Sequence, residues 1–131
     1  MGTNAGLFSS SLGKKYLMAI TGLFLCSFLI IHFLGNIALF TNPVQFNEYT
    51  RFMSSNPIIR VMEIVLVLGF LTHIIDAIIL TRANKKAQPV KYAMNKNKSS
   101  WYSRNMGLTG TIILVFLILH LQSFWYEYKF G

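Results

Sequence analysis

The chain is 131 residues long, 53% hydrophobic, and carries a formal charge of +8 from twelve Lys and Arg against four Asp and Glu. Its apolar residues are gathered into three long blocks, which excludes an ordinary soluble domain, and the single Cys26 excludes an internal disulfide. The basic residues cluster between the apolar blocks, which points to membrane topology rather than to a nucleic-acid partner.

The chain opens on a small, polar lead-in, GTNAGLFSSSLG. Its start superficially fits a myristoylation signal, but Gly6 stands where Ser or Thr is needed. Lys14 and Lys15 then precede the first block, and no Asp, Glu, Lys or Arg occurs from Tyr16 to Asn47. An uncharged helix of about 20 residues crosses the hydrocarbon core, so helix one is expected over about 16–40. The block is too long for a signal-peptide core and no small-residue cleavage site follows, so it is expected to stay in the mature chain.

Asn42-Pro43 is a stop signal, because proline cannot continue a helix and constrains the residue before it. Phe46, Tyr49, Phe52 and Met53 then recur at near-helical spacing beside Gln45, Asn47, Glu48 and Arg51. That pattern predicts an amphipathic segment over about 44–54, lying at the outer surface. Asn56-Pro57 opens helix two, expected over about 58–81, with a capping side chain and a proline in the first turn. Only His73 and Asp76 interrupt the apolar run from Ile64 to Thr81.

A basic loop follows over 82–100, with Pro89 at its middle, and helix three is expected over about 101–127. Trp101 and Tyr102 mark one boundary of that helix; Trp125, Tyr126 and Tyr128 mark the other. Lys14, Lys15, Arg82, Lys85, Lys86, Lys91, Lys96, Lys98 and Arg104 share one side of a three-span chain, against Arg51, Arg60 and Lys129 on the other. The positive-inside rule makes the richer side cytoplasmic and puts the N-terminus there. The expected fold class is all-α, a transmembrane helical bundle with three spans in a single transmembrane domain, residues 1–131.

Each span carries one histidine: His32, His73 and His120. A polar side chain at membrane depth is costly, so it faces a protein interior, either in structural hydrogen bonding or in a functional site. Counting from the flanking cations at 1.5 Å per residue places His32 and His120 both roughly 24–25 Å from the inner face. His73 lies roughly 13 Å from that face, about 11 Å nearer the cytoplasm than the other two.

Two imidazoles at one depth on neighbouring spans can hold a haem iron from both sides, an arrangement suited to electron transfer. No Cys, Asp or Glu shares that level, which disfavours zinc and non-haem iron. Gly35 and Ser123, each three residues after a histidine, and Gly69, four before His73, are expected to make room for a porphyrin. Each ring's second nitrogen is expected to donate to the carbonyl one turn back, at Phe28, Gly69 and Phe116. His73 is left without a partner, and a haem there would be a second step nearer the cytoplasm.

The segments KKYLMAITGLFLCSFLIIHFLGN, NPIIRVMEIVLVLGFLTHI and SRNMGLTGTIILVFLILHLQSFWYEYKFG together resemble the cytochrome b membrane-anchor subunit of succinate dehydrogenases and fumarate reductases. The resemblance is to the five-helix, di-haem type that works with menaquinone in bacteria, and it covers nearly the whole chain. It implies that His32 and His120 are axial ligands of an outer haem b and that His73 ligates an inner one, whose other ligand sits on a fourth helix. The chain stops at Gly131, where the family continues for two helices. A fragment of a longer sequence, a second polypeptide, or an unpaired His73 would each account for that.

The resemblance further implies partners: a flavoprotein that oxidises succinate, an iron–sulfur subunit on the cytoplasmic face, and quinone in the membrane. On this reading the chain performs no succinate chemistry of its own. It anchors, ligates haem and forms part of a quinone pocket in a bacterial cytoplasmic membrane.

Asp76, one turn beyond His73, either snorkels or pairs with Arg82, or else handles protons or a cofactor edge. Glu63 and Glu48 are interfacial charges or proton carriers at a quinone pocket. Ser103 and Arg104 are candidates for propionate contacts of the inner haem, and Gln122, Trp125 and Lys129 for the outer one. Met18, Met53, Met62, Met94 and Met106 read as packing residues. Two rivals stand beside the first reading: the cytochrome b of a hydrogenase or formate dehydrogenase, and a cofactor-free membrane protein whose histidines bond across helices.

Overall fold

Two Asn-Pro steps set the corners of the first part of the chain. In the computed structural model, which describes Gly6, residues 10–87 and residues 101–131, helix α1 runs over Ser11–Thr41 and ends at Asn42. The Asn42 carboxamide oxygen then accepts from the amides of Val44 and Gln45, at 3.1 and 3.2 Å, and opens α2 over Pro43–Ser55. Asn56 repeats the device, accepting from the Ile58 amide at 2.9 Å and opening α3 over Pro57–Ala87. In both, proline takes the first helical position, where its missing N–H costs nothing.

The expected all-α class holds: 94% of the described residues are helical and none lies in a strand. Three helices are long and apolar enough to cross a membrane: α1, α3 and the helical stretch Met106–Phe130. The amphipathic segment expected over 44–54 is α2. Other boundaries move. The first helix starts at Ser11, where Ser10 accepts from the Gly13 amide at 3.0 Å, five residues before the apolar block. The second continues through Arg82, Lys85 and Lys86 to Ala87, because Ala, Lys and Arg are good helix formers and cations suit a helix C-terminus. The predicted loop therefore begins later, and its residues 88–100 lie outside the described residues.

The chain divides into two compact units, Met1–Ala87 and Gln88–Gly131. In the first, α1 and α3 pack antiparallel. Rising through Leu17, Thr21, Phe24 and Phe28 on α1 meets falling numbers on α3: the Thr21 hydroxyl meets His73, and the Phe28 ring lies edge-on to Phe70 at 6.4 Å. Between lipid tails there is no hydrophobic gain from bringing helices together, so close packing and interhelical hydrogen bonds must hold them. Gly69 supplies the close approach: a Cβ there would stand 2.8 Å from Cε1 of Phe24.

Burial is inverted relative to a water-soluble fold. Leu25 is the buried apolar side chain of the described residues and Asp76 the buried charged one, while Leu23, Ile20 and Phe40 are exposed. Apolar surface of that extent is at home against lipid.

The second unit holds α4 over Trp101–Arg104, α5 over Met106–His120, a π-helical turn over Leu121–Tyr126 and α6 over Glu127–Phe130. The span expected as one helix over 101–127 is thus interrupted at Asn105 and widened beyond His120. The Asn105 side chain donates back to the Trp101 carbonyl at 2.9 Å instead of capping α5.

Candidate functional site

His73 is positioned by its neighbour helix. Its Nδ1 lies 2.9 Å from the Thr21 hydroxyl of α1, and that hydroxyl lies 2.7 Å from the Leu17 carbonyl. A threonine hydroxyl has one hydrogen, and a carbonyl can only accept. With that hydrogen on the shorter contact, to Leu17, Thr21 accepts from His73 and Nδ1 carries the ring proton. The neutral ring then holds its lone pair on Nε2, the tautomer suited to binding a metal. A hydrogen bond on the second nitrogen is what fixes a ligating imidazole. Thr21, on the facing helix, fills the part expected of the Gly69 carbonyl.

Gly22 completes the contact. A Cβ at that position would stand 3.3 Å from Cε1 of His73, so the backbone of α1 closes on the edge of the ring. Gly69 is not open space: Phe24 covers it, where room for a porphyrin was expected.

His32 sits farther along α1 on a more exposed stretch. Its ring lies 5.2 Å from Phe28, and the Asn36 amide donates to its backbone carbonyl at 2.7 Å. Gly35 is covered too: a Cβ there would stand 2.7 Å from the Tyr49 hydroxyl of α2. With His73 level with Thr21, the eleven residues from Thr21 to His32 separate the two histidines by roughly 16 Å along α1. That exceeds the 11 Å counted from the flanking cations.

In the second unit His120, half-buried, is the last residue of α5. It lies between rings of its own helical rod: Phe116 is stacked at 5.4 Å and 22°, and Phe124 is tilted at 5.0 Å. The π-helical turn starts at the next residue. Such turns are rare and recur at functional sites. Ser123 lies inside it, so the three-residue spacing that set it on the His120 face no longer applies. Gln122 and Trp125 share the turn, and Lys129 places its ammonium 5.8 Å from the Trp125 ring.

No protein-family model, curated protein or solved structure matches the chain.

Glu63 is tied to Arg60, Oε2 to Nη1 at 2.7 Å, and Arg60 Nη2 donates to the Met53 carbonyl at 3.1 Å, joining α2 to α3. Glu48 is exposed on α2. Asp76 is 4% exposed and forms no ion pair with Arg82; its Oδ2 has no hydrogen-bond partner among the described residues. It lines a cavity of about 290 Å³ with Lys14, Leu17, Thr72, Ile75 and Ile79. Ser103 and Arg104 fall in α4, and their side chains lie outside the described residues.

Thr21 and Gly22 went unassigned in the sequence although both stand in the quoted ITGLF run. The available signal was a hydroxyl residue next to glycine inside an apolar block. The partner helix, and so the role, was not legible there.

Proposed function

We propose that the chain is a haem-bearing membrane subunit of a succinate:quinone oxidoreductase, set in a bacterial cytoplasmic membrane with its N-terminus inside. The single observation that carries this reading is the 2.9 Å contact between the Thr21 hydroxyl and Nδ1 of His73. An imidazole whose Nδ1–H is committed to Thr21 offers Nε2 as a neutral ligand, which is what haem iron requires. His32, His73 and His120 are the residues that would hold haem b, with the pairing of His32 and His120 resting on their sequence depths. When bound, the haem supplies a one-electron carrier between an iron–sulfur partner and membrane quinone, menaquinone on the family resemblance. The chain's own residues orient the rings: Thr21 fixes one tautomer, Phe28 abuts another ring, and Phe116 and Phe124 flank the third. Succinate chemistry belongs to a flavoprotein partner.

A second reading is favoured by a specific observation. Phe24 over Gly69 and Tyr49 over Gly35 fill positions where a porphyrin face was expected, and the Thr21–His73 bond also serves as an interhelical fastener. On that view the histidines are structural and the protein is colourless.

A reduced-minus-oxidised visible spectrum of the purified chain, with haem quantified against protein, separates the two. The haem reading expects a b-type α band that is lost or reduced in His32→Gln, His73→Gln and His120→Gln. Folded protein without the band, in a membrane preparation supplied with haem, supports the structural reading. Co-purification with a flavoprotein distinguishes succinate dehydrogenase from other respiratory cytochromes b.

A further inference from the structure

The cavity beside Asp76 plays no part in the histidine chemistry, and its lining is chemically unusual. Lys14, in the first turns of α1, stands at one edge, and Asp76, on the facing side of α3, is almost fully buried. The remaining walls are Leu17, Thr72, Ile75 and Ile79. A carboxylate in a membrane span is expensive, and one oxygen lacking any donor makes it more so. Lys14 does not relieve the cost, because no ion pair joins the two.

What would complete this cavity is a molecule with an anion for Lys14, N–H donors for Asp76, and apolar chains for the leucine and isoleucine walls. We propose that the cavity is a binding site for an aminophospholipid of the phosphatidylethanolamine type. The lipid phosphate takes Lys14, with Lys15 next to it and the positive end of the α1 dipole adding to the attraction. The primary ammonium donates to the Asp76 carboxylate. Oδ2 is sealed from the cavity, and a half-turn of the carboxylate only exchanges its two equivalent oxygens, so the ammonium meets the oxygen on the cavity side and offsets the charge of the whole carboxylate. The acyl chains run along Leu17, Ile75 and Ile79, of which the two isoleucines are exposed.

The test exploits one difference in chemistry. Phosphatidylcholine has the same phosphate and the same overall charge, but its quaternary ammonium has no N–H to donate. The full chain in nanodiscs or detergent is titrated with phosphatidylethanolamine, phosphatidylcholine and phosphatidylglycerol of identical acyl chains, and retained lipid is counted by native mass spectrometry. The expected result is a preference of about tenfold for phosphatidylethanolamine over phosphatidylcholine, the scale of a charge-assisted hydrogen bond. Asp76→Asn should erase that preference, and Lys14→Gln should weaken retention of both lipids.

Ile79→Trp fills the cavity from an exposed position and should also erase the preference, which covers the case in which Asp76→Asn fails to fold. Equal retention of the two zwitterionic lipids by the wild-type chain overturns the proposal. So does a preference that survives Asp76→Asn, or a stronger preference for phosphatidylglycerol, which would mean that Lys14 alone selects anions. Haem content is measured beside lipid retention in each variant, so a change in one without the other tells the two readings apart.

Discussion

His73 and His120 are two histidines in apolar helices, held by different means. His73 is gripped from the outside: a hydroxyl and a glycine of another helix define its tautomer and its edge. His120 is held from within its own rod, between rings four residues away on either side, with a π-helical turn directly after it. The first site exists only when two helices meet, whereas the stacking at the second is written into one continuous stretch. Tertiary perturbations should therefore fall on His73, and local ones on His120.

The hardest blow to the first site is Gly69→Leu. Phe24 already stands within 2.8 Å of the position of a Cβ, so a branched side chain must displace the Phe24 ring from the α1–α3 contact or part the two helices. The expected cost is about 1–3 kcal/mol. It is measured as a lowered unfolding midpoint in detergent, with His73 losing its Thr21 partner and His120 unmoved. An unchanged midpoint would mean that the α1–α3 contact is looser than described.

Thr21→Val sharpens the comparison without parting the helices. Valine keeps the shape and removes the acceptor, at a cost of about 0.6–1.7 kcal/mol. In nitrogen NMR of ring-labelled protein, His73 should show its Nδ1 protonated in the wild type and a mixture of tautomers in the variant. A wild-type ring protonated on Nε2 would refute the hydrogen-bond assignment. Phe116→Ala acts on the other histidine, removing a stacked ring at about 0.5–1.5 kcal/mol. His120 ring resonances should move, and those of His73 should stay. The most local effect expected is that of Asn42→Ala, about 1 kcal/mol confined to the start of α2 and read as faster amide exchange at Val44 and Gln45, with neither histidine moved.

The fold was largely legible because its signals are local. Uncharged length gives the spans, and each Asn-Pro step marks a corner where capping and missing-donor effects coincide. The ends were harder: charge marks where a helix leaves the hydrocarbon, not where it stops, so α3 runs on past Arg82. The π-helical turn left no pattern to read, since LQSFWY fits an ordinary helix as well. At the site, the three histidines stood out as polar residues in apolar blocks. Their surroundings did not, because Thr21 meets His73, and Tyr49 meets Gly35, only through packing between helices. The glycines were recognised as places of close approach, and what approaches them was not.

The pairing of α1 with α3 has a mechanical consequence. Each has 31 residues, but the uncharged run of α1 from Tyr16 to Thr41 extends about 39 Å, beyond the roughly 30 Å of a hydrocarbon core. That of α3 from Ile64 to Thr81, Asp76 apart, extends about 27 Å. A lone helix with the run of α1 can tilt to suit the bilayer around it. Two fastened antiparallel, by Gly69 under Phe24 and Thr21 against His73, must lean together. Their shared angle then becomes a gauge of membrane thickness, steeper in thick bilayers and shallower in thin ones. Lipid composition would in this way reach the orientation of the whole Met1–Ala87 unit without touching any one side chain.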